Sequence, residues 1–257
     1  MWPRDRDQRI FVATTAGLIL FAWVALWVWG QSPYARYLNH EEIGEIRLGD
    51  ATLALLLVYV AGWTLMTAAM MLPTSLPLLS MFQRLTKRRP ERRRLVGLVV
   101  LAYLGIWTLF GILAYLADWL LHRAIEGSEW LAANAWLVGA GIFLVAGIYQ
   151  FTPLKYVCLD KCRSPLSFIL QHWRGRDTQA EAFWLGVRHG VFCVGCCWSL
   201  MLLMFAVGSG NLGWMLALGT VMAAEKNFPW GRRLAAPVGI FLVWWGLLLT
   251  LVGYQSS

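Results

Sequence analysis

The sequence predicts an all-α integral membrane protein: a polytopic bundle of about seven transmembrane helices with its N-terminus in the cytoplasm. Three observations carry this. Of 257 residues, 59% are hydrophobic and 14% are charged, whereas soluble domains average about 25% charged. The apolar residues gather into separate runs, several near the roughly 20 residues that cross a bilayer as a helix. Many of the 16 tryptophans stand near the ends of those runs, as in an aromatic belt at the headgroups. Lipid offers no partner to an unpaired backbone group, so a helical bundle is the natural architecture, and no alternating barrel strands are present. A single membrane domain is expected to fill residues 1–257.

Seven apolar segments can be marked, with boundaries soft by a few residues. The first, roughly 10–30, follows the basic residues Arg4, Arg6 and Arg9. Its apolar run exceeds the roughly 7–15 residues of a signal-peptide core, so a retained first helix is expected. The second, roughly 51–73, ends with Met66, Met70, Met71 and Pro73. The third covers about 95–120. The fourth, about 131–150, runs into Tyr149-Gln150-Phe151-Thr152-Pro153-Leu154-Lys155 and then Cys158 and Cys162. The fifth, about 183–207, meets His189 and then Cys193, Cys196 and Cys197. The sixth, about 211–225, is short and follows the turn Gly208-Ser209-Gly210-Asn211, so it is expected to tilt or to cross incompletely. It ends with Met222, Glu225 and Lys226, and the seventh covers about 235–253.

The loops between these segments alternate in charge. The N-terminal tail is basic, and the loop at 31–50 carries Glu41, Glu42, Glu45 and Asp50. The loop at 82–94 holds seven basic residues and one acid, Glu91. The loop near 121–130 has Glu126 and Glu129, and the loop at 151–182 is basic again. Lys and Arg accumulate in cytoplasmic loops, which puts the N-terminus inside and the C-terminus outside, in a bacterial inner membrane. The net charge of +8 is accounted for in this way and not by nucleic acid, because the basic residues alternate with spans. The arginine-rich loop is also suited to anionic headgroups of the lipid bilayer. Gly208-x-Gly210-x-x-Gly213 has the spacing of a dinucleotide fingerprint but follows no strand, so it carries no such meaning.

The cysteines are the unusual residues. All five lie in two groups near the cytoplasmic side, Cys158 with Cys162, and Cys193 with Cys196 and Cys197. Residues three and four apart share a helix face. Cys193 therefore shares a face with Cys196, with Cys197 and with His189 one turn earlier; Cys158 and Cys162 pair likewise if their segment is helical. Gly186 and Gly190 form a small-xxx-small pair that admits a close neighbouring helix. Thiolates and thioethers select Cu(I), zinc or iron–sulfur clusters, and the cytoplasmic compartment keeps thiols reduced. Cys158, Cys162, Cys193 and Cys197 are one possible four-thiolate set, with Cys196 on a different side of its helix. Fewer cysteines with Met70 or Met71 would suit Cu(I). His189 is a candidate ligand or hydrogen-bond partner. Glu225 is expected to supply negative charge or accept protons, with Lys226 near the interface, since ionisable groups in spans are functional candidates. Pro73, Pro153 and Pro165 are expected to break helices at span ends. Two alternatives stay open: thiol–disulfide electron transfer across the membrane, using Cys193-x-x-Cys196, and a non-catalytic subunit of a larger membrane complex. No nucleotide-binding loop or Ser-His-Asp set is visible, so metal movement would proceed without an ATPase of the chain's own.

The chain resembles a bacterial family of predicted metal-binding integral membrane proteins of unknown function. The resemblance lies in Ala69-Met70-Met71-Leu72-Pro73, in Tyr149-Gln150-x-Thr152-Pro153-Leu154-Lys155-x-x-Cys158-Leu159-x-x-Cys162-Arg163-Ser164-Pro165, in Gly195-Cys196-Cys197-Trp198-x-Leu200-Met201 and in Glu225-Lys226. It implies a metal site without naming the metal. Together these readings point to the handling of a soft metal, copper first and zinc or an iron–sulfur cluster after it. The cargo would be exchanged with a metal donor or acceptor protein or a membrane complex.

Overall fold

A computed structural model describes residues 6–31, 50–207 and 211–256. The acids Glu41, Glu42 and Glu45, Arg4, the side chains of Arg6, Arg9 and Asp50, and the turn residues Gly208, Ser209 and Gly210 lie outside the described residues. The described residues form helices α1 (Arg6–Gly30), α2 (Asp50–Leu85), α3 (Arg92–Glu126), α4 (Glu129–Ala133), α5 (Trp136–Tyr149), α6 (Pro153–Arg163), α7 (Pro165–His172), α8 (Thr178–Val207), α9 (Leu212–Asn227) and α10 (Gly231–Ser256).

Five of these are long and apolar enough to cross a membrane: α1, α2, α3, α8 and α10. Helices α5 and α6 together make a sixth, bent by 65° at their junction. Helix α9 has 16 residues, about 24 Å at 1.5 Å per residue, and falls short of the roughly 30 Å of hydrocarbon. The count is thus five or six, below the expected seven, although every apolar segment is helical. The short sixth segment is the one that falls short. The outer faces are apolar: Leu101, Leu109 and Leu113 on α3, and Ile240, Leu247 and Leu251 on α10, are exposed. Exposed apolar faces of this kind are compatible with a hydrocarbon surround.

Glycine sets the closest contacts. Gly186 of α8 lies against the backbone of Val99 in α3, and Gly190 against the side chain of Ile106. The small-xxx-small pair therefore seats α8 on α3. Indole groups join α2 to α3, where Trp63 Nε1 donates to the Trp107 carbonyl at 2.9 Å.

Local signals place the shorter helices. Thr152 accepts a hydrogen bond from the Lys155 amide and Pro153 occupies the first turn of α6. A Thr cap followed by Pro is a strong helix start. Pro165 likewise occupies the first turn of α7, directly after Ser164, whose side chain makes no capping hydrogen bond. Pro73 behaves differently from expectation: α2 continues through Pro73 and Pro77 to Leu85. Side chains of Thr74, Ser75 and Tyr103 all donate to the Met71 carbonyl there, which ties this proline-containing stretch of α2 to α3. The basic loop between α2 and α3 is correspondingly short, because helix covers both of its ends. The stretch at 151–182, expected as a cytoplasmic loop, is mostly α6 and α7.

Candidate metal centre

Five helices build the centre: α8, α6 and α9, with side chains from α2 and α3 closing it. Helix α8 supplies Cys193, Cys196 and Cys197, all fully buried. Helix α6 lays Cys162 against them, with Cys162 Sγ 3.9 Å from Cys196 Sγ. Cys196 Sγ is 3.4 Å from Cys197 Sγ, and it also lies 3.2 Å from the Cys193 carbonyl oxygen. All five cysteines are free thiols. A tetrahedral metal with bonds of about 2.3 Å to sulfur holds its ligand sulfurs about 3.8 Å apart. The separation across α6 and α8 matches that spacing, and the Cys196–Cys197 separation is somewhat shorter.

Helix α9 supplies the third wall. Lys226 is buried, and its Nζ stands 2.9 Å from Cys193 Sγ and 3.1 Å from Thr74 Oγ1. Met71 Sδ is 4.0 Å from the same nitrogen. Tyr103 Oη lies 3.0 Å from Cys193 Sγ on the other side. Cys193 is therefore held between an ammonium group and a phenol, a setting that stabilises a thiolate by charge and by hydrogen bonding. Among the described residues, no three His, Cys, Asp or Glu side chains stand as a ready metal cage. Cys193 turns toward Lys226 and Tyr103, while Cys196 turns toward Cys162.

Several expected residues take other places. Cys196, expected on a different side of its helix, is the thiol that touches both Cys162 and Cys197. Cys158 is buried but points at Gly195: a Cβ added there would stand 2.6 Å from Cys158 Sγ. Met70 packs toward Gly219 of α9, leaving Met71 as the nearer thioether. His189 is buried, with Nε2 3.1 Å from Ser75 Oγ and its ring stacked on Tyr103 at 5.3 Å between centroids. It thus supports Tyr103, which in turn touches Cys193. His189 Nδ1 has no hydrogen-bond partner among the described residues.

The two ionisable residues at the end of α9 are both buried and depart from their expected places. Lys226, expected near the interface, reaches the thiols. The Glu225 carboxylate turns away to Lys155, with both groups fully buried and Nζ 3.0 and 2.8 Å from the two oxygens. Arg163 donates to the carbonyls of Glu225 and Pro229, which adds to the clamp of α6 on α9. Lys155 and Tyr103 are the residues that sequence reasoning left without a role. For Lys155 the signal was present: Lys155, Cys158, Leu159 and Cys162 repeat at three and four residues, one face of a helix.

The architecture defines a class: a bundle of long apolar helices with cysteine and methionine sulfurs gathered inside it. The chain matches the PpoB2 family, described as a copper chaperone, over residues 60–249. That is more than half of its length, and it belongs to this family. The match contains every cysteine, Met70, Met71, His189, Glu225 and Lys226. No curated protein and no solved structure matches the chain.

Proposed function

We propose that this protein is a membrane-embedded copper chaperone that carries Cu(I) between α6 and α8. Cys162 and Cys196 are the central ligands, with Cys193, Cys197 and Met71 beside them. The observation that carries the reading is the approach of Cys162 Sγ to Cys196 Sγ, at 3.9 Å, from two different helices. Soft sulfur ligands of this kind suit Cu(I), zinc or an iron–sulfur cluster, and the copper chaperone family favours copper among them. The cargo is a substrate that passes to or from a donor or acceptor protein. His189 acts through Tyr103, and Glu225 fixes α6 through Lys155; neither is a ligand in this reading. The alternating charge of the loops supports a bacterial inner membrane with the thiols in its cytoplasmic half.

The test is a Cu(I) competition titration against a coloured chelator, on protein purified anaerobically in mild detergent. Wild type takes up about one copper per chain, a ratio set by one thiol cluster. Cys162→Ser and Cys196→Ser each lose it, while Cys158→Ser retains it. Unchanged copper binding in both Cys162→Ser and Cys196→Ser would overturn the site, and preferential loading with zinc would overturn the choice of metal.

A further inference from the structure

We propose that Lys226 is the fixed counter-charge of the loaded site, so that two thiolates and one monovalent metal ion make its neutral occupancy. The inference rests on the thiol site described above and names what makes that site selective. Lys226 is an ammonium group inside an apolar bundle, and its company is unusual. Its neighbours are Cys193 Sγ at 2.9 Å, Thr74 Oγ1 at 3.1 Å and Met71 Sδ at 4.0 Å. Among the described residues no carboxylate forms an ion pair with it, because the adjacent Glu225 is engaged by Lys155. A buried cation without an anionic partner is strongly disfavoured. The groups at hand that can supply the anion are the cysteines.

The charge balance then distinguishes metals. Counted over the whole thiol cluster, two thiolates and Cu(I) carry one net negative charge, which Lys226 cancels while the other cysteines stay protonated. A divalent ion on the same two thiolates is already neutral, and Lys226 leaves one uncompensated positive charge. In a low-dielectric interior a leftover unit charge within a few ångströms weighs heavily. Lys226 thus acts against divalent ions by repulsion, and specificity commonly needs such a repulsive element as well as good contacts. Thr74 and the Met71 thioether keep the ammonium beside Cys193 without neutralising it. Lys226 is accordingly a specificity-determining residue that acts beside the ligands and is not itself one.

The test compares wild type, Lys226→Met and Lys226→Arg by competition titration with Cu(I) alone and with Zn(II) alone. Wild type and Lys226→Arg are expected to favour Cu(I). In Lys226→Met the preference for Cu(I) over Zn(II) should fall at least about tenfold, by weaker Cu(I) binding, stronger Zn(II) binding or both. A merely structural role would lower both affinities together and leave their ratio unchanged, which would overturn the inference. Tighter Cu(I) binding in Lys226→Met would overturn it as well, by marking the ammonium as a competitor of the metal. Should Lys226→Met fail to fold, Lys226→Gln removes the charge and keeps a donor, and the same ratio decides. Equal affinity of wild type for the two ions would also refute it. Failure of the site itself reads differently: wild type then binds no Cu(I), or Cys196→Ser binds as much as wild type.

Discussion

Lys155→Met strands the Glu225 carboxylate inside the bundle, and the size of the effect follows from the geometry. Both side chains are fully buried and joined by two contacts, at 3.0 and 2.8 Å. Removing one member of a buried pair costs about 3–5 kcal/mol, because the remaining charge loses its partner without regaining water. Replacing both members by apolar groups of similar volume is often neutral or stabilising. Lys155→Met should therefore lose about 3–5 kcal/mol, while the double variant Lys155→Met, Glu225→Leu should stay within roughly 1 kcal/mol of wild type. In a chain of this size such a loss lowers the melting temperature by roughly 6–20 °C. The assay is reversible denaturation in mild detergent followed by circular dichroism, on the wild type, both single variants and the double. A loss below about 1 kcal/mol in Lys155→Met, or a double variant as unstable as the worse single, would refute the reasoning.

Two further outcomes follow from the thiols. Gly195→Ala drives a methyl group to within 2.6 Å of Cys158 Sγ; it should destabilise by about 1–3 kcal/mol, and Cys158→Ala should restore much of the loss in the same denaturation assay. Cys162 is the one cysteine that is only partly buried, so a maleimide applied to the native protein should modify Cys162 first. Mass mapping that found Cys193, Cys196 or Cys197 modified ahead of it would contradict the packing.

The helical architecture was legible because a bilayer demands long apolar runs, and each of the seven segments is helical. The number of crossings was less legible, because apolar composition does not report length along the membrane normal. Helix α9 is too short, and α5 and α6 count as one span only across a 65° bend. Helical spacing anticipated Gly186 with Gly190 against a neighbouring helix, but it set Cys196 apart from the thiols that it touches. It could not tell which helix faces which. Cys158 and Cys162 are one turn apart, yet one meets Gly195 and the other meets Cys196. The same limit governs Glu225 and Lys226: adjacent residues point about 100° apart on a helix, so one reaches α6 and the other reaches α8. Pro73 marks a different limit, since a helix wrapped by neighbouring side chains tolerates proline that would end an isolated one.

The attachment of α6 has a kinetic side. Its grips are spread along its whole length: Lys155 on Glu225, Arg232 of α10 over the Tyr156 ring, Asp160 on Arg232, and Arg163 on the carbonyls of Glu225 and Pro229. These contacts reach α9, α10 and the segment between them, and the fully buried Lys155–Glu225 pair outweighs the half-exposed Arg232–Asp160 pair. Contacts spread in this way favour loosening of α6 as a unit. Cys196 is fully buried against Cys162 of this helix, so loosening of α6 as a whole would be the event that uncovers it.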